Sequence, residues 1–272
     1  MKIYAISLVK NEVDIIEHCL RSAAVWAEKI FVYDNGSTDG TWELVQNLAK
    51  EIPSIVAWKQ DSKPFYEGMR GEVYEAFHHL GEEGDWWCFR LDSDEIYPCN
   101  PADTLVNIDK KYQVVAKESI EYVLTHEDII EYDFTQLTPV NFNNIRYYLP
   151  NTYSEVRFIR HRDRLKWQVG RDMPKYMGIT SPDRIKVMHF QYRSIPQMIN
   201  RIRVRKKARD EGFVNWEFAD NSDWKNLLFK RSEAIYDTGN HNWKLSAETN
   251  NYLPPYYKYI IQRVMRFMKI IP

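Results

Sequence analysis

An α/β fold, with a mostly parallel sheet covered by helices on both faces, is predicted by three observations. Short apolar runs alternate with segments of helical periodicity through the first 91 residues. Those runs are apolar at consecutive positions, as strands buried on both faces require. The chain of 272 residues, 44% of them hydrophobic, is long enough to bury one substantial core.

The elements follow in order. Ile3 to Val9 reads as the first buried strand, and Val13, Ile16, Leu20 and Ala23 fall at helical spacing behind it, with Asn11 as the expected N-cap. Ile30 to Tyr33 is the second strand, followed by a helix from about Thr41 to Ala49 and a strand from Ile55 to Trp58. A helix carries Val73, Ala76, Phe77 and Leu80, and a strand runs from Trp86 to Leu91. Between about Asn100 and Lys166 the pattern is irregular and rich in Tyr, Asn and Thr, with strand-like pieces at Gln113 to Lys117 and Val156 to Arg160. From Ile195 the chain turns helical and basic, and after a loop-like stretch around Asn240 to Pro255 a last helix is expected from Tyr256 to Ile271. This divides the chain into residues 1–194, with one half of about 1–100 and another of about 101–194, and a helical C-terminal extension of 195–272.

Composition narrows the partners. A net charge of −1 argues against a global preference for nucleic acid, so an anionic ligand must be met by a local cluster of Lys and Arg. The 9 Trp and 18 Tyr suit the apolar face of a pyranose, as they suit an ordinary core. Cys19, Cys88 and Cys99 are odd in number and form no framework, which points to a reducing compartment and buried thiols. The apolar run at the N-terminus is too short for a signal peptide, and no stretch reaches the length of a membrane span. A cytoplasmic protein is expected, with peripheral attachment to the inner face of a membrane left open.

In an open α/β sheet, ligands collect outside the carboxyl ends of the strands. After the second strand comes Asp34-Asn35-Gly36-Ser37-Thr38-Asp39-Gly40-Thr41, where Asp34 is able to accept hydrogen bonds from a nucleobase N–H or a ribose hydroxyl; the same residues also suit a simple capped turn. After the strand ending at Leu91 comes Asp92-Ser93-Asp94-Glu95, in which Asp92 and Asp94 face one side of an extended segment. Adjacent carboxylates repel unless a cation neutralises them. Mg²⁺ or Mn²⁺, held by one or two carboxylates and completed by diphosphate oxygens and water, fits that arrangement, as does a solvated turn.

Taken in order, Val9-Lys10-Asn11-Glu12, Val32 to Thr41 and Leu91 to Glu95 resemble the family 2 glycosyltransferases of the GT-A fold. The resemblance implies a donor site that includes Val9, Asn11, Glu12 and Ser93, with Asp34 on the base, Asp92 near the ribose or diphosphate and Asp94 on the metal, Mn²⁺ or Mg²⁺. Arg70, in Gly68-Met69-Arg70-Gly71, stands where the family often places a donor-contacting arginine. Farther on, Val156 to Arg160, Val169-Gly170-Arg171-Asp172 and Met188-His189-Phe190-Gln191-Tyr192-Arg193-Ser194 look like the lipopolysaccharide-core branch of that family. There a His-Glu pair usually stands where Arg171 and Asp172 fall. That match implies an inverting transferase with Asp172 as general base, Asp163 and Glu155 being its substitutes, and His189 as a further metal ligand or diphosphate contact. The implied donor is a nucleotide sugar, a UDP-sugar foremost, held by the half of about 1–100, and the implied acceptor is a cell-envelope glycan or glycolipid, held by the half of about 101–194.

The basic run from Arg201 to Arg209 suits either an anionic ligand or a solvated helix face. The last helix spaces Tyr257, Ile260, Ile261, Val264, Phe267, Met268 and Ile271 between Lys258, Arg263, Arg266 and Lys269, a basic amphipathic pattern that suits a membrane interface, the domain itself or a second subunit. Rival readings are a sugar-nucleotide pyrophosphorylase, whose Gly-rich basic loop Val9-Lys10-Asn11-Glu12 lacks, and a non-catalytic nucleotide- or glycan-binding module. A nucleic-acid-binding protein rests only on the helix near Arg205.

Overall fold

A computed structural model describes residues 1–66, 68–150, 153–168, 170–210, 223–246 and 255–271. In chain order they form β1 (Ile3–Val9), α1 (Ile16–Ala23), β2 (Lys29–Asp34), α2 (Thr41–Glu51), β3 (Ile55–Gln60), α3 (Met69–Phe77), β4 (Trp86–Cys88), β5 (Glu95–Ile96) and α4 (Pro101–Leu105). There follow β6 (Val114–Val123), α5 (His126–Glu131), α6 (Pro139–Phe142), β7 (Tyr147–Tyr148), β8 (Ser154–Arg160), β9 (Thr180–His189), α7 (Ile195–Asp210), β10 (Ile235–Tyr236) and α8 (Tyr256–Phe267). Val169 and residues 247–254, which belong to two of the segments singled out in the sequence, lie outside the described residues.

The chain groups into two interleaved compact units, one of residues 1–119, 153–187 and 249–272, the other of 120–152 and 188–248. Residues 195–272 are therefore shared between the two. In the first unit β1 pairs in parallel with β2 and β4, and β2 in parallel with β3. Beyond β4 the sense reverses, since β8 is antiparallel to both β4 and β6. The sheet is thus parallel where the α/β alternation is regular and mixed where the sequence pattern becomes irregular.

The periodicity of β1 explains the layering. Ile3, Ala5 and Val9 enter one core with Ile16, Cys19 and Leu20 of α1 and Val45 and Leu48 of α2. Tyr4 and Ile6 enter a second core with Met69, Val73 and Tyr74 of α3. Alternate side chains leave opposite faces of a strand, so a strand apolar on both faces needs helices on both sides.

Two local expectations are corrected. Cys19 and Cys88 are buried as expected, but Cys99, just before α4, is exposed. Asn11 does not cap α1, whose N-cap position is Ile15 without any side-chain cap. Asn11 instead adopts a left-handed backbone (φ 56°), and its Oδ1 accepts a hydrogen bond from the Thr38 amide at 2.8 Å. With the helix starting later, Val13 lies outside it and is exposed. In the second unit β7 is antiparallel to the end of β6 and to β10, and Tyr122 stacks on Phe190.

Candidate active site

The carboxyl ends of β1 and β2 are tied together by short polar side chains. Val9 and Asp34 are partners in the parallel ladder, and the Asn35 amide donates to the Val9 carbonyl at 2.9 Å. The Asn11 amide donates to Ser37 Oγ and the Glu12 amide to Thr41 Oγ1, so the two loops named in the sequence form one layer. Gly36 (φ 73°) takes the left-handed turn this requires, and a Cβ there would meet Ser62 at 3.0 Å.

Asp34 is fully buried in that layer. Its Oδ1 accepts from the Ser37 amide at 2.7 Å and from Gln60 Nε2 at 3.3 Å. Its Oδ2 is buried with no hydrogen-bond partner among the described residues. A buried carboxylate oxygen left unsatisfied is costly, so this atom is suited to a ligand N–H or O–H. Beside it, Tyr33 of β2 donates at 2.7 Å to Asp61, which follows β3, and Lys59 of β3 bridges Asp61 and Glu72. Burial opposes ionisation of Asp61, but the hydrogen bonds from Tyr33 and Lys59 outweigh it and hold the carboxyl at about 2.

On the other side of β1 lies the carboxylate segment that follows β4. The sequence leaves open what neutralises these charges; for Asp92 and Glu95 the chain itself supplies the cations. Asp92 Oδ1 accepts from Arg70 Nη2 at 3.1 Å, and its Oδ2 accepts from Arg90 Nε and Arg157 Nη2, each at 3.2 Å. Burial raises the Asp92 pKa, yet Arg90, Arg157 and Arg70 together hold it well below the ordinary carboxylate value. Glu95, fully buried where Asp92 is half-buried, takes a forked pair of bonds from Arg157 at 3.1 and 2.7 Å and a further one from Lys117. Ser93 and Asp94 between them are buried as well. Among the described residues no three His, Cys, Asp or Glu side chains converge to hold a metal by themselves.

Arg70 sits in the first turn of α3, which also carries the loop bearing Asp172. A Cβ on Gly68 would lie 2.7 Å from the Gly170 nitrogen, and one on Gly71 would lie 2.7 Å from Trp167 Cδ1. Trp167 in turn donates its ring N–H to the Arg171 carbonyl at 2.8 Å, next to exposed Asp172. One turn of helix thus meets Asp92 through Arg70 and the Asp172 loop through two glycines. Of the substitutes for Asp172, Glu155 is held at 2.7 Å by Arg157, and Asp163, 93% exposed, pairs with His161 at 3.1 Å.

His189 belongs to the second unit, where its Nδ1 is 2.7 Å from Glu121 Oε2. In the basic run, Arg205 donates to the Tyr192 hydroxyl at 3.0 Å and Arg201 lies over the Tyr192 ring. Arg90 and Arg157 were not singled out from the sequence as site residues. The available signal was an arginine inside the apolar strand Val156 to Arg160, where a buried cation demands a carboxylate partner.

No curated protein matches this sequence. Among solved structures the chain is similar to a mannosyltransferase, PcManGT from Pyrobaculum calidifontis in complex with GDP-Man and Mn²⁺, at 16% identity and a TM-score of 0.41 over 78% of this chain. The chain spans 65% of the length of that protein. It is similar also to the apo-form glycosyltransferase GlyE of Streptococcus pneumoniae TIGR4, at 12% identity and a TM-score of 0.28, covering 43% of this chain and 29% of that one. The decisive match is to a family: the profile described as Glycosyl transferase family 2 covers residues 4–179, which take in Asp34, Arg70, the Asp92 to Glu95 segment and Asp172. The chain, with its GT-A type sheet and its acidic strand ends, belongs to glycosyl transferase family 2.

Proposed function

We propose that the protein moves a sugar from a nucleoside-diphosphate donor, a UDP-sugar foremost, to a hydroxyl of a cell-envelope glycan such as lipopolysaccharide or capsule, with inversion, on the cytoplasmic side of the membrane. The observation that carries this reading is the pairing of a buried, unsatisfied Asp34 Oδ2 with an acidic segment across β1. β2 and β4 flank β1, so Asp34 and the acidic segment that follows β4 lie on opposite sides of β1, two strand spacings or about 10 Å apart across the sheet. That span matches the reach from a nucleobase or ribose to a diphosphate.

In this reading Asp34 accepts the donor's N–H or O–H and fixes its register. Asp94 would hold Mn²⁺ or Mg²⁺, which would supply charge neutralisation for the leaving diphosphate, while Asp92, whose two oxygens already accept from Arg70, Arg90 and Arg157, would stand beside it. The oxygen-only donor set fits a hard cation that keeps most of its shell for phosphate and water. Arg70 and Arg90 hold Asp92 in place at the diphosphate. Asp172 takes the proton of the acceptor hydroxyl as that oxygen bonds to the anomeric carbon and the C–O bond to the diphosphate breaks with its electron pair. The residues used all lie in the first unit.

Calorimetric titration with UDP, GDP, CDP and dTDP, each with and without Mn²⁺, tests the donor site. Metal-dependent binding of one nucleotide, lost in Asp94→Ala, is the expected result. Binding without metal in both forms removes the metal from the proposal, and binding of none removes the donor site. Asp172→Asn is expected to bind donor and fail to transfer; a chain that binds donor but never transfers, in any form, is a non-catalytic binding module.

A further inference from the structure

α8 is turned inside out. Its outward face carries Tyr257, Ile260, Ile261, Val264, Phe267 and Met268, all exposed, with Phe267 at 90%. Its inward face carries Tyr259, Gln262, Met265 and Arg266, which are partly covered. Arg266 donates to Gln113 Oε1, and its guanidinium closes over Gly178, where a Cβ would meet Nη2 at 2.5 Å. A surface helix normally hides its apolar stripe and shows its polar one. Here the docking of polar side chains leaves a contiguous apolar stripe outside, and stripes of that kind mark interaction sites.

The charges around the stripe say what covers it. Residues 255–271 contain four basic side chains, Lys258, Arg263, Arg266 and Lys269, and no Asp or Glu. Lys258, Arg263 and Lys269 are exposed along its margins, and Arg164 joins them by donating to the Lys269 carbonyl at 2.9 Å. The nearby Lys111 has its own partner, Asp109, at 3.4 Å. A second copy docked face to face would set these cations against themselves, since a twofold contact uses the same patch twice. A helix of 12 residues is about 18 Å long, too short for a hydrocarbon core of about 30 Å. No described helix is long and apolar enough to cross a membrane.

We propose that α8 lies flat on an anionic phospholipid surface, its apolar stripe in the acyl boundary and its cations among the headgroups. The loop reversal after α8 supports that pose. Lys269 takes a left-handed backbone (φ 56°) and the chain turns back, so that Ile271 is buried while Phe267 and Met268 stay outside. This docking is independent of the transfer chemistry, and either can fail alone.

The test is co-sedimentation of the full chain with vesicles of phosphatidylcholine alone and of phosphatidylcholine with phosphatidylglycerol. Binding is expected only to the second kind, weakening with salt. Phe267→Glu, a change at an exposed site, should weaken it about tenfold or more while leaving the thermal midpoint unchanged. Lys258→Glu with Arg263→Glu should act in the same direction. No binding to phosphatidylglycerol vesicles, or binding that Phe267→Glu leaves intact, overturns the proposal. So does concentration-dependent self-association abolished by Phe267→Glu, which would make the stripe a protein interface.

Discussion

The Arg157 guanidinium, with 1% of its side chain exposed, lies 3.2 Å from the Asp92 carboxylate. Arg157 also holds Glu95 and Glu155, so a single buried cation joins β8 to the segment after β4. Removing one partner of a buried pair leaves the others uncompensated, at a cost of about 3–5 kcal/mol. Arg157→Ala is therefore expected to lower unfolding free energy by about that amount in urea denaturation. Stability within about 0.5 kcal/mol of the parent, the range of an ordinary surface change, would contradict the central place given to this residue.

Gly71 makes a second, steric prediction. A methyl group at this position would stand 2.7 Å from Trp167 Cδ1, too close for the ring to stay. Trp167 anchors the Arg171 carbonyl, so Gly71→Ala shifts the Asp172 loop as well as straining the helix contact. The expected loss is about 1–3 kcal/mol of stability, typical of overpacking. Transfer should fall further than donor binding, because Arg70 and Asp34 are held by other contacts. Equal losses of binding and transfer, read by calorimetry and a turnover assay, would sever the link between Gly71 and the loop.

Much of this was legible in the sequence, and the exceptions have physical causes. The apolar run of β1 and the helical spacing of α1 and α2 set both the order and the layering, because burial on two faces leaves a local signature. Asp34 and Asp92 are placed by the strands that precede them, so their position at the sheet's end follows from chain order alone. Arg157 meets Asp92 across 65 positions of sequence, a long-range contact that no local pattern records. Asn11 has the local look of an N-cap, but its side chain serves Thr38, 27 residues away, in place of the helix that follows it. For α8 the periodicity gave the helix but not its orientation, which depends on Gln113 and Gly178.

Acid should unfold the protein through the same carboxylates. Asp61 is held at about 2, and Asp92 and Glu95 are likewise lowered. In the unfolded chain such groups protonate near pH 4, so at lower pH the unfolded state binds the protons first. Their contribution is present in full above about pH 5 and is lost as pH falls through about 4 toward 2. Urea midpoints should be level from pH 7 to 5 and drop steeply at pH 3, and Asp61→Asn should flatten part of that drop. A midpoint at pH 3 equal to that at pH 7 would show that these pairs contribute nothing to folding.

Asp34→Asn separates the ligand role of this residue from its structural one. The amide keeps an oxygen able to accept from the Ser37 N–H, so the turn survives and stability changes little. What changes is Oδ2, which becomes an NH₂ group or loses its charge, and a donor N–H or O–H then meets either another donor or a weaker acceptor. A hydrogen bond to a charged acceptor is worth about 1.5–3 kcal/mol, which corresponds to roughly 10- to 100-fold in affinity. Nucleoside-diphosphate binding should fall by that factor with an unaltered urea midpoint. An unfolded variant would assign Asp34 to the fold alone, and unchanged affinity would place the base or ribose elsewhere.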